Sequence, residues 1–320
     1  MAASKAAVAI VIGPTAAGKT AVAMALQDAL GGPDKAQLIS ADSALVYRGM
    51  DIGTAKPTPA EMHRYPHLLV DIRDPSEPYS AADFVRDADA AIADTLQQGK
   101  TPIIVGGTML YVKRFMQGIA TLPSADPVLR AQLQEQLQRF GAVAMHERLK
   151  QLDAPAAAKI HPNNSQRMLR ALEVIEASGK SMTSQWQSAS GPNAEQRLSV
   201  AVRVVAIVPE RRDLLHKRIA ERFDAMLAAG FVAEVEGLMA RGDLHADLPA
   251  LRAVGYRQAW QHLRGDYDHA EFVARALAAT RQLAKRQLTW LRQWPDIDLQ
   301  SSAAPDEVVQ LIVQKLLASV

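Results

Sequence analysis

Gly13-Pro14-Thr15-Ala16-Ala17-Gly18-Lys19-Thr20 has the residue types and the spacing to hold a phosphate. An apolar run from Ala6 to Ile12 precedes it, and an alanine-rich helical pattern from Ala21 to Leu30 follows. Strand, glycine loop and helix come in the order that a phosphate-binding loop requires. Gly13 and Gly18 let backbone N–H groups curl around an anion with no Cβ in the way. The helix directs its positive end at that anion. Lys19 adds a full charge, and the Thr20 hydroxyl is placed to ligate Mg²⁺ beside the phosphates. Gly13, Pro14, Thr15, Ala16, Ala17, Gly18, Lys19 and Thr20 are thus candidate diphosphate-binding residues, with Thr20 the candidate metal ligand. A glycine turn that merely joins strand to helix is the competing reading. A phosphate cradle alone also leaves the reaction open.

Other chemistry-bearing residues stand at the ends of apolar runs. Asp42 follows the short strand Gln37–Ser40. A carboxylate there lies on the ligand side of an open α/β sheet, as a general base, a metal ligand, or a turn or capping aspartate. Gly106-Gly107-Thr108 ends a buried strand over Pro102–Val105, where backbone approaches closely and a hydroxyl can donate. The helix after Pro209 carries Arg211, Arg218 and Arg222 near one face. They suit a clamp on a diphosphate or a solvated face paired with Glu221 and Asp224. Arg281 to Arg292 contains four positive residues and no acidic one, with Trp290 inside it and Trp294 just beyond. That suits a phosphate-backbone reader or a plain amphipathic helix.

These residues need a scaffold that brings strand ends together. Leu68–Ile72 is predicted as a further strand. Ser80, with Asp83 three residues on, starts a helix by a capping box. The alternation is that of an α/β fold: a P-loop NTPase-like parallel sheet flanked by helices. From Pro123 to about Ala194 no strand pattern occurs. Asp126 starts one helix, Gly141 interrupts it, and a second runs from Asn164 to Ser178. The apolar run Ser199–Val208 then rejoins the sheet. The expected domains are a discontinuous core, 1–122 and 195–320, and an all-helical insertion, 123–194.

Composition narrows the class. The chain has 320 residues and a net charge of +2, so any nucleic-acid surface must be local. It has no cysteine, which excludes a disulfide framework, a thiolate zinc site and a cysteine nucleophile. No stretch reaches membrane-spanning length, and the first apolar run reads as a buried strand and not a signal peptide. A cytoplasmic monomer with no obligate protein partner is expected. No strand ends in Asp-Glu and no Asn-Lys-x-Asp occurs, which argues against a hydrolytic Walker-B site and against guanine specificity. A small-metabolite kinase using ATP stays open.

Several separated motifs together resemble the bacterial-type tRNA dimethylallyltransferases (tRNA isopentenyltransferases). They are the 13–20 loop, Asp42 through Pro57, Val105 through Tyr111, Gln166-Arg167, Arg252 through Arg257 and Lys285 through Arg292, in family order. The resemblance implies transfer of a dimethylallyl group from its diphosphate to the exocyclic amine of the adenosine 3′ of the anticodon. It implies catalytic roles for Asp42, Lys19, Thr108 and an arginine, with Arg218 favoured and Arg222 next. Mg²⁺ would assist. It implies partners too: dimethylallyl diphosphate and a tRNA anticodon stem-loop. The implied tRNA contacts are Asp42, Ser43, Ala44, Leu45 and Thr108; Arg130, Gln166, Arg167, Met168, Leu169 and Arg170; Arg252, Ala253, Val254, Gly255, Tyr256 and Arg257; and Lys285, Arg286, Gln287, Leu288, Thr289, Trp290, Leu291 and Arg292.

Overall fold

The structure, a computed structural model, describes residues 6–119, 126–188, 191–295 and 297–318. Its first strand, β1 (Ala7–Ile12), is buried from Val8 onward. Strands covered on both faces are continuously apolar, and this one is. Then come α1 (Lys19–Ala29), β2 (Ala36–Ser40), α2 (Pro59–Arg64), β3 (His67–Leu68), α3 (Ala81–Gln97), β4 (Thr101–Gly106) and α4 (Met109–Gln117). Four helices follow without a strand: α5 (Pro127–Leu152), α6 (Ala154–Lys159), α7 (Ser165–Ser178) and α8 (Met182–Ser188). The chain continues through α9 (Ala194–Leu198), β5 (Ala201–Val208), α10 (Arg212–Ala228), α11 (Phe231–Ala240), α12 (Tyr256–Leu263), α13 (His269–Arg292), β6 (Asp298–Ser301) and α14 (Pro305–Leu317).

The strands form one parallel sheet in the order β3-β2-β4-β1-β5-β6. The order reverses at β1, with β4 on one side and β5 on the other. Ligands bind outside the carboxyl ends of strands at such a switch point. The carboxyl end of β1 is where the glycine loop begins. One face of the sheet buries Ala9, Val11, Leu38, Ile103, Val205 and Ile207 against Val22 and Leu26 of α1 and Val308 and Ile312 of α14.

By packing, the chain divides into two units: Met1–Met116 with Ala194–Val320, and Gln117–Asn193. The expected boundary between 122 and 123 lies outside the described residues. The second unit has its own core, with Leu133, Met145, Leu149, Met168, Leu169 and Leu172 buried together. Gly141, at φ 80°, breaks α5 internally, as its sequence position predicts. Asp126 caps α5 by accepting from Val128 N at 2.9 Å, and Asn164 caps α7 by accepting from Arg167 N at 3.3 Å. The predicted capping box of α3 forms as well: Asp83 N donates to Ser80 Oγ at 3.2 Å and Ser80 N to Asp83 Oδ2 at 2.9 Å.

Two local expectations change. The strand predicted over Leu68–Ile72 is only His67–Leu68. Leu69 and Asp71 take positive φ values of 62° and 57°, which turn the chain out of the sheet. The edge strand β6 was not expected from sequence. Its pattern, Asp298-Leu299-Gln300-Ser301, is short, and its pairing with β5 decides its conformation. No described helix is long and apolar enough to cross a membrane.

Close backbone approach holds the strand ends together. A Cβ on Gly106 would lie 2.2 Å from Ala41 O, where nothing flexible can yield. Gly106→Ala is therefore expected to destabilise by about 2 kcal/mol through overpacking. Gly237, inside α11, has no neighbour within 4 Å of an added Cβ. Gly237→Ala is expected to stabilise by roughly 0.5–1 kcal/mol by restricting the unfolded chain and favouring helix. Denaturant midpoints with unchanged slopes would show opposite signs for the two variants.

Candidate active site

A cavity of about 500 Å³ lies within the first unit, outside the carboxyl ends of β1, β2 and β4. Its floor is the glycine loop. Gly13 passes so close to β5 that a Cβ would lie 2.3 Å from Ile207 O. Ala16 and Gly18 adopt left-handed φ values of 62° and 86°. For Ala16 that conformation is uncommon, and such strain concentrates at functional sites. Gly18 begins α1 with no side-chain cap, so the first-turn N–H groups have no capping side chain and are available to an anion.

Lys19 lines the cavity and donates from Nζ to Pro14 O at 2.8 Å. Burial pushes its ammonium down to about 8, against the pull of the Asp42 carboxylate and with the help of Arg222. Asp42 stands across the cavity floor. Its Oδ1 accepts from Ala44 N at 2.9 Å and Leu45 N at 3.4 Å. It is thus a turn-forming aspartate and a cavity residue at once. Among the described residues no hydrogen bond engages its Oδ2. Thr108, past the end of β4, is tied to the same rim: Oγ1 accepts from Ser43 N at 2.9 Å and contacts Ser43 Oγ at 3.2 Å.

The arginine expected from the resemblance is corrected. Arg218 is exposed, donates to Ser302 Oγ at 3.3 Å and does not line the cavity. Arg211 is likewise exposed and paired with Asp213. Arg222, one turn on from Arg218, does line the cavity, and its Nη2 donates to Thr54 O at 3.0 Å. Burial pushes its guanidinium below its ordinary value, with the Asp42 carboxylate pulling the other way. Which arginine enters depends on how α10 packs, and the spacing of charges within α10 does not reveal that.

The loop from Gly53 to Pro57 walls the cavity. Glu234 of α11 clasps it: Oε2 accepts from Asp51 N at 2.9 Å and Ile52 N at 2.7 Å, and Oε1 from Gly53 N at 3.2 Å. Tyr256 also donates its hydroxyl to this carboxylate. Lys56 anchors the loop through Asp51 and Asp71. Sequence reasoning missed Glu234, because a helix carboxylate of this kind looks like any solvated one. It also missed His67, a buried cavity residue whose Nδ1 meets Tyr65 O at 2.7 Å.

The expected RNA contacts sort by exposure. Arg252, Ala253, Val254 and Gly255 line the cavity, and Arg257 is exposed. Ser43, Ala44 and Leu45 also line it. Tyr256 is fully buried, edge-on to Phe231 at 5.1 Å, so it cannot stack on a base. On α13, Lys285, Arg286, Thr289 and Arg292 are exposed, and Trp290 lies under the Lys113 ammonium at 5.2 Å. Gln287 and Leu291 are buried, and Leu288 packs against Leu215 and Ile219. In the second unit Gln166 and Arg167 are exposed, but Met168 and Leu169 belong to that unit's core. Arg130 and Arg170 both reach the fully buried Glu173 carboxylate, at 2.9 and 3.2 Å. The resemblance had put core and surface residues into one contiguous set of contacts.

Among the described residues no cluster of three or more His, Cys, Asp or Glu could cage a metal. The Thr20 hydroxyl, on the cavity, fits Mg²⁺ arriving with phosphate oxygens and keeping its waters.

The position of Lys19 yields a pH test. Below about pH 8 its ammonium is already present; above it, binding an anion requires proton uptake. Affinity for inorganic diphosphate is therefore expected to fall from pH 7 to pH 9 relative to Lys19→Arg, whose side chain does not titrate there. Calorimetry in buffers of different ionisation enthalpy would count the proton. An equal pH response in both proteins would refute the assignment.

The family model described as IPP transferase matches residues 45–294. A tRNA dimethylallyltransferase of Chromohalobacter salexigens is 53% identical over 306 residues, covering 95% of this chain and 96% of that one. The solved full-length tRNA isopentenylpyrophosphate transferase of Bacillus halodurans matches with a TM-score of 0.70 at 34% identity, covering 98% of both chains. A tRNA delta(2)-isopentenylpyrophosphate transferase of Staphylococcus epidermidis matches with a TM-score of 0.67 at 31% identity, covering 97% of this chain and 100% of that one. With cradle, carboxylate and half-buried arginine all in one cavity, and with likeness of this extent, the chain belongs to the IPP transferase family.

Proposed function

We propose that this protein transfers the dimethylallyl group of dimethylallyl diphosphate to the exocyclic amine of the adenosine 3′ of a tRNA anticodon, releasing diphosphate. One observation carries the reading: a cavity with Lys19 and Arg222 on a phosphate cradle also holds Asp42 and Thr108. An anionic leaving group and a proton acceptor thus have places in one enclosure. The relatives' activities support this reading and lend none to the kinase alternative.

The chemistry follows from the charges. As the allylic C–O bond breaks, negative charge grows on the departing diphosphate and positive charge spreads over the allyl group. The loop amides, Lys19 and Arg222 stabilise the growing negative charge. When bound, Mg²⁺ supplies further charge neutralisation beside Thr20. The adenine amine is a poor nucleophile because its lone pair is delocalised into the ring. Asp42 holds that amine and takes its proton as the N–C bond forms. Thr108 orients the same rim through Ser43.

The acceptor base leaves its loop stack to enter, as bases undergoing chemistry must. Arg252 to Gly255 on the cavity wall meet the splayed loop. Lys285, Arg286, Thr289 and Arg292 contact the backbone from α13, and Gln166 and Arg167, with Arg130 and Arg170 fixed by Glu173, contact it from the second unit. A cytoplasmic place, where tRNA is modified, accords with this role.

The direct test is incubation with Mg²⁺, labelled dimethylallyl diphosphate and unmodified tRNA with adenosines after the anticodon. Label in that adenosine is expected; no label from folded protein would refute the proposal. Asp42→Ala is expected to lower single-turnover transfer by about 10²–10⁴-fold with tRNA affinity nearly intact. A wild-type rate in that variant would remove Asp42 as the base. Replacing both Lys285 and Arg286 by Ala is expected to weaken tRNA binding and reduce the salt slope by about 1–2. An unchanged slope would make α13 a purely structural helix.

A further inference from the structure

Gln287 is the one residue of the Lys285–Arg292 stretch whose side chain is hydrogen-bonded to both glycine loops. It is 8% exposed, while its neighbours Lys285 and Arg286 are exposed. Its Oε1 accepts from Thr15 N at 2.9 Å, and its Nε2 donates to Gly107 O at 2.8 Å. The fit is tight, since a Cβ on Gly107 would lie 2.8 Å from that Nε2 and 3.6 Å from Lys19 Nζ. One amide therefore spans the gap between the cradle and the strand end that carries Thr108. Thr108 in turn holds Ser43, next to Asp42.

We propose that Gln287 is a positioning residue that sets the separation between the leaving-group cradle and the Asp42–Thr108 rim. The inference rests on the prenyl-transfer reading and deepens it. The physical case is geometric. In-line displacement needs leaving group, allylic carbon and amine within a fraction of an ångström of alignment. The two halves of the site are adjacent strand ends, and each ends in a glycine-rich segment with its own backbone freedom. A planar amide with one donor and one acceptor at fixed separation is suited to gauge that gap. Neither hydrogen bond requires substrate, so the spacing is set before binding. Because Gln287 stands on α13, the same strut sits directly beneath the cationic face read by RNA.

The test compares the full-length wild type with Gln287→Met, of similar size but with neither donor nor acceptor for these bonds, and with Gln287→Glu. In Gln287→Met, kcat is expected to fall about 100-fold, the loss typical of an ångström-scale misplacement. Its Kd values for inorganic diphosphate with Mg²⁺ and for tRNA should change less than about threefold. Unchanged kcat, or a loss of diphosphate affinity that accounts for the lost rate, would overturn the proposal. Gln287→Glu keeps the acceptor for Thr15 N–H but donates to Gly107 O only when protonated. Its rate relative to wild type is expected to rise as pH falls; a pH-independent ratio would also overturn the proposal. This arm applies even if the Met variant does not fold. A wild type that transfers no prenyl group would sink the underlying reading and this inference together. An active wild type with insensitive Gln287 variants would sink this inference alone.

Discussion

Lys19 and Arg222 are both half-buried in one cavity, and the carboxylate that acts on each is Asp42. Removing a charge from water is unfavourable unless partners replace the lost hydration. One carboxylate against two cations leaves positive charge uncompensated, and the uncapped start of α1 adds more. A multiply charged anion relieves that imbalance. It does so most when its own charge is greatest, which is when the bond to a departing group has broken. For the proposed transfer, such electrostatics favour the transition state over the ground state.

Keeping those charges together requires a rigid frame, and backbone proximity supplies it. Gly13 against Ile207 and Gly106 against Ala41 allow neighbouring strands to deliver their loops within reach of one ligand. Glu234 does for the 51–53 segment what a bound anion does for a phosphate loop: it gathers three successive N–H groups on one carboxylate. That clasp fixes the loop carbonyl to which Arg222 donates, so the arginine is oriented by a residue on another helix. Gln287 completes the frame from α13.

A chain with net charge +2 can meet RNA only through local surfaces. The exposed cations of α13 form one local positive surface, while the opposite side of the same helix buries Ala284, Gln287 and Leu291. In the helical unit, the buried Glu173 carboxylate holds Arg130 and Arg170 together. A guanidinium fixed in this way loses less freedom when it meets a phosphate.

The sequence by itself determined the local conformations: a phosphate loop with its anion-binding start of a helix, the parallel α/β alternation, the helical stretch between β4 and β5, and the caps at Ser80 and Asp126. Those features depend on neighbours within a few residues, so local patterns reveal them. Only the tertiary structure decided that Arg222 and not Arg218 enters the cavity. The same holds for the inward turn of Tyr256, Leu169 and Gln287, for the shortening of β3, and for the clasp by Glu234. Each depends on where a side chain points relative to a distant element, as with the 272 residues between Thr15 and Gln287. Helical spacing says which residues share a face; packing against the rest of the chain says what that face meets.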